Sequence, residues 1–194
     1  SIAITGNGDL ITASMDVGIL RYRHNMTQEA SISTLLPDNK SYYLHKLVAG
    51  HFWNILLSGK RMIATNSPWD SESNQIVISE DSGENWTIIK RGLPDNYSTE
   101  NTIWEKGYAR ALIQDPVNKN KFYLGIDGQS LFSSDDGGYH WKKSYSQPDN
   151  LRIYNGLALQ ADSHIYWGTV GGGVYASSDN GKSWHLDGLQ GKHV

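Results

Sequence analysis

The stretch SDDGGYHW, Ser134–Trp141, recurs as SEDSGENW at Ser79–Trp86 and as SSDNGKSW at Ser177–Trp184. In all three, Asp stands two residues after Ser, Gly two after Asp and Trp three after Gly. A carboxylate repeated in a fixed frame is either a piece of an active site or a structural staple, and the flanking sequence decides which. KFYLGIDGQSLFSSDDGG (121–138) lies over HIYWGTVGGGVYASSDNG (164–181) without a gap, and upstream YARALIQ (108–114) matches YNGLALQ (154–160). Each unit reads strand, turn, strand, turn, strand, box, strand.

The first box fits the same unit with an insertion: RMIAT (61–65) is its second strand, NSPWDSESN (66–74) replaces a tight turn, and QIVIS (75–79) is the third strand. A degenerate copy precedes it, with strands SIAIT, LITAS and ILRYR joined by GNGD and MDVG. There Tyr22, His24 and Met26 stand where the box has Ser, Asp and Gly. Units of about 1–50, 51–107, 108–152 and 153–194 follow, on a period of roughly 40–50 residues. Short alternating strands between Gly, Asn and Asp turns at that period predict an all-β protein, a β-propeller of four-stranded antiparallel blades. The four units are read as part of a larger propeller, so further blades are expected as partners.

The box falls where the third strand reverses into the fourth. Reversal needs a positive φ, which Gly83, Gly138 and Gly181 supply without steric cost. Asp81, Asp136 and Asp179 are suited to accept backbone N–H bonds inside the turn. The hydroxyls of Ser79, Ser134 and Ser177 tie its other side, and Trp86, Trp141 and Trp184 pack into the blade. A calcium loop would need more carboxylates and a distal Glu. The box is expected to be structural, with no metal and no cofactor.

Composition narrows the function. The 194-residue chain has a net charge of −3 and no basic block, which argues against nucleic acid as the partner. It has no cysteine, which excludes disulfides and thiol chemistry, and no apolar run long enough for a membrane span. Seven Trp and eleven Tyr recur beside turn residues, as suits aromatic packing or contact with carbohydrate. The irregular segments fall at the strand-two-to-three turns and between units, and long loops on a rigid scaffold are where function tends to sit. They carry Asp16, Tyr43, Trp69, Asp70, Trp104 and Glu105. Rings that stack on sugar faces and carboxylates that bind hydroxyls make this the expected binding face, for a glycan or a protein.

The motif S-x-D-x-G-x-x-W resembles the Asp-box, or bacterial neuraminidase repeat, of sialidases, sortilin-type receptors and the endo-xyloglucanase family of glycoside hydrolases. MDVGIL (15–20), ATNSPWDSESNQIVISEDSGENW (64–86) and DPVNKNKFYLGIDG (115–128) are similar, in that order, to segments of the endo-xyloglucanases. The second Gly of the family's D-[VI]-G-G segment is Ile19 here. The resemblance implies a glycan- or protein-binding propeller outside the cytoplasm, extracellular or periplasmic. Its alternative implication is part of an inverting glucanase or xyloglucanase with Asp16 as one of two catalytic carboxylates. A sialidase is disfavoured, since no RIP-like segment occurs.

Overall fold

The computed structural model describes residues 1–6, 8–14, 18–22, 29–30, 52–66, 75–83, 85–94, 108–127, 129–143, 156–160, 162 and 164–194. Among them it is all-β, with four antiparallel sheets of four strands and no helix. The first sheet holds β1 (Ile2–Ile4), β2 (Leu10–Ser14), β3 (Gly18–Tyr22) and β4 (Glu29–Ala30). The second holds β5 (Phe52–Ser58), β6 (Arg61–Asn66), β7 (Gln75–Ser79) and β8 (Thr87–Ile89). The third is β9 (Ala109–Gln114), β10 (Phe122–Ile126), β11 (Ser130–Ser134) and β12 (Lys142–Lys143). The fourth is β13 (Leu157–Leu159), β14 (Ile165–Thr169), β15 (Gly173–Ser177) and β16 (His185–Gly188). Strands pair in chain order within every sheet, so each is a meander, the form of a propeller blade.

The chain forms two compact units, Ser1–Lys90 with Pro94–Asn96, and Arg91–Leu93 with Tyr97–Val194. In the first, Ile11, Ala13 and Ile19 of one sheet pack with Phe52, Ile55, Met62, Ala64 and Val77 of the next. In the second, Ala111, Tyr123 and Leu131 pack with Ile165 and Trp167, and Trp184 meets Trp167 edge to face at 5.7 Å between ring centroids. One apolar face per strand drives this pairing, and its area supplies most of the stabilisation. β10 is buried along its whole length, which is why FYLGI reads as a continuous apolar run rather than an alternation.

The pairing corrects one detail of the repeat. Phe122 pairs with Gln114, whereas Ile165, its counterpart, pairs with Leu159 and not with Gln160. YNGLALQ is therefore set one residue out of step with YARALIQ. The shift turns Leu157 and Leu159 onto the side of Ile165 and Trp167, where they join the core. A hydrophobic face fixes strand register more strongly than sequence similarity does.

Candidate functional site

Each sheet has two ends. The turns between its first and second and between its third and fourth strands lie at one end, and the turn between its second and third strands lies at the other. The S-x-D-x-G-x-x-W turns occupy the first end. In the fourth sheet, Gly181 N–H donates to Ser177 Oγ at 2.8 Å, and that hydroxyl donates to Asp179 Oδ1 at 2.8 Å. Asp179 also accepts the Ser183 amide at 2.8 Å, and Trp184 Nε1–H donates to the Gly181 carbonyl at 3.2 Å. The other two turns repeat these bonds through Ser79, Asp81, Gly83 and Trp86, and through Ser134, Asp136, Gly138 and Trp141.

The structure adds two features that the motif does not spell out. The residue before Trp donates its side chain to the second carboxylate oxygen: Asn85 to Asp81, His140 to Asp136 and Ser183 to Asp179. The residue before Gly has positive φ as well, Ser82 at 64°, Gly137 at 84° and Asn180 at 63°, so the turn holds two left-handed residues in succession. Within each unit the neighbouring sheet grips that residue. Arg21 donates to the Ser82 carbonyl, and the Tyr123 hydroxyl donates to Asn180 Oδ1 at 3.3 Å. Bonds from the Ser183 hydroxyl and amide hold the Asp179 carboxyl at about 2. Burial pushes Asp136 up, but bonds from His140 and Ser134 outweigh it and bring that carboxyl to about 2 as well. These carboxylates are ionised and committed to their own turns.

The opposite ends are built differently. In the second sheet Phe52 pairs with Asn66 and Asn54 with Thr65, so Trp53 is an extra, bulged residue. In the third sheet Ile126 pairs with Ala109 and Gly125 with Ala111, which makes Arg110 the bulged residue at the same place. A bulge removes its residue from the ladder and re-aims the side chain. The Asn54 amide beside the bulge is taken by the buried hydroxyl of Thr65 at 3.0 Å. Arg110 Nε lies 3.6 Å from Asp127 Oδ2, and its guanidinium covers the Tyr108 ring at 5.2 Å from the centroid. The side chains of Arg110 and Asp127 are 11% and 2% exposed, an ion pair largely out of water. Burial pushes the Tyr108 phenol up despite Arg110, so it stays a neutral donor. Ser130, buried at the start of β11, has no hydrogen-bond partner for its hydroxyl among the described residues.

Trp53, Arg110, Asp127 and Ser130 are not singled out by sequence patterning. A bulge exists only relative to its partner strand, and the one visible hint is a cation inside the apolar run YARALIQ. Asp16, Tyr43, Trp69, Asp70, Trp104 and Glu105 lie outside the described residues. Among the described residues no group of three or more His, Cys, Asp or Glu could hold a metal ion, and no helix is long and apolar enough to cross a membrane.

The fold is similar to that of several solved proteins. The GH74 xyloglucanase from Xanthomonas campestris matches with a TM-score of 0.72 and 16% identity, over 98% of this chain and 30% of that one. An ancestral GH74 enzyme matches at 0.71 and 17%, over 100% of this chain and 26% of that one. YCF48 from Cyanidioschyzon merolae matches at 0.66 and 17%, over 100% of this chain and 57% of that one. The chain thus has the blades of a β-propeller and spans less than a third of the length of the two enzymes. No protein-family model matches the sequence, and no curated protein matches it.

Proposed function

We propose that the chain is an Asp-box β-propeller binding module, located outside the cytoplasm, that recognises a glycan through the strand-two-to-three ends of its blades. One observation carries this reading: the box ends close in tight turns, whereas the opposite ends carry the strand bulges and the long connections. At the box end, Asp136 and Asp179 are held by bonds from their own turns. At the other end, bulged Trp53 and Arg110 and buried Thr65 stand on strands, and Asp127 stands in the turn after β10. The connections leaving that end, 67–74 and 95–107, carry Trp69, Asp70, Trp104 and Glu105 in sequence. Aromatic rings with interleaved carboxylates suit the apolar faces and hydroxyls of a polysaccharide.

A second reading is favoured by the likeness to two GH74 enzymes: the chain contributes blades to a glucan or xyloglucan hydrolase, with Asp16 as one catalytic carboxylate. A glycan array and a reducing-sugar assay on the wild type and Asp16→Asn separate the two. Binding without sugar release supports the module. Release that is lost in Asp16→Asn supports the hydrolase. Binding of a protein ligand with no glycan bound sinks the glycan reading.

A further inference from the structure

His140, in the box turn of the third sheet, bridges two groups. Its Nδ1 meets Asp136 Oδ2, and its Nε2 lies 3.1 Å from Arg91 Nη1. A guanidinium only donates, so Nε2 must offer its lone pair. The ring proton is then on Nδ1, where it is donated to Asp136. This arrangement uses both nitrogens of a neutral imidazole and has no place for a second proton.

Arg91 directly follows Lys90 yet belongs, with Gly92 and Leu93, to the second compact unit. The segment lies close against Trp141. Gly92 has a φ of +80°, and a Cβ there would fall 2.0 Å from the Trp141 carbonyl oxygen. The Trp141 amide donates to the Arg91 carbonyl over a long 3.4 Å. Among the described residues, Asp135 and Lys142 line the same hollow as His140, with Ser133 and Asp136. Asp135 is itself engaged by Lys121 at 3.2 Å.

We propose that His140 is a proton-operated latch on Arg91–Leu93. Neutral, it accepts from Arg91 and holds the segment against Trp141. Protonated, it presents an N–H and a positive charge to the guanidinium, keeps its bond to Asp136 and releases Arg91. Acid therefore loosens the segment while it turns the Asp136–His140 contact into an ion pair. The latch stands apart from the glycan reading, since it uses the box end of the blade.

The test compares the wild type with Arg91→Met over about pH 8 to 5, the range in which imidazoles change charge. Amide exchange at Trp141 is followed and corrected for intrinsic rates. In the wild type, Trp141 protection falls severalfold on acidification. In Arg91→Met it is low throughout. Wild-type Trp141 protection that is indifferent to pH overturns the proposal, and so does Trp141 protection that still falls on acidification in Arg91→Met.

Discussion

Ser177 holds its turn together from both sides, accepting from the buried Gly181 amide and donating to Asp179. Ser177→Ala removes the hydroxyl that accepts from that amide, which costs about 1–3 kcal/mol. Urea unfolding measures it, and a loss well below that range would mean that the turn is not held this way. Ser82 tells the opposite story. Its left-handed φ of 64° is strained for a side chain, while Arg21 binds only its carbonyl. Ser82→Gly keeps that bond and removes the strain, so thermal unfolding should show stability unchanged or raised by about 1 kcal/mol. The carboxylates set the acid limit. Asp136 and Asp179 sit at about 2 in the folded chain, against about 3.9 for an unfolded Asp. A depressed pKa stabilises above the unfolded value and is lost as pH falls through the folded one. Stability should therefore drop between about pH 4 and 2, and Asp179→Asn should flatten that drop. Parallel curves for the two proteins would contradict it. The four motif residues were legible because identity alone marks them. The left-handed residue before Gly was not, since Ser, Gly and Asn fill it in turn.

At the scale of strands, the paired positions show what the repeat hides. Gly156 faces Gly168, and a Cβ on Gly156 would lie 2.6 Å from the Gly168 carbonyl oxygen. Gly156→Ala must push β13 and β14 apart, at roughly 1–3 kcal/mol in chemical denaturation. Truncating Asp127 takes away the carboxylate that lies 3.6 Å from the buried Arg110 Nε. Asp127→Ala is expected to cost about 3–5 kcal/mol, and Arg110→Met in the same background should recover part of it. Additive losses in that pair would show that the contact is of no consequence. Strand positions such as RMIAT and QIVIS are plain in the sequence, because alternation and β-branching survive in a single chain. The bulges at Trp53 and Arg110 and the one-residue step of YNGLALQ are not, because both are properties of a pair of strands.

For the whole molecule, the repeat carried most of the fold: four units in the sequence are four meander sheets in the structure. Function was less legible. Asp81 looks catalytic in isolation, yet its carboxylate accepts from Ser79 and from both the amide and side chain of Asn85 in its own turn. The proposed glycan contacts lie at the opposite blade ends, in segments for which the repeat gives no guide. The measurement that tests this division most directly is glycan affinity for the wild type, Trp69→Ala and His140→Gln, at neutral pH. Trp69→Ala, in a connection between the second and third strands, is expected to weaken binding about tenfold or more. His140→Gln, in a box turn, should leave binding unchanged. A glycan affinity lost in His140→Gln and kept in Trp69→Ala would contradict it.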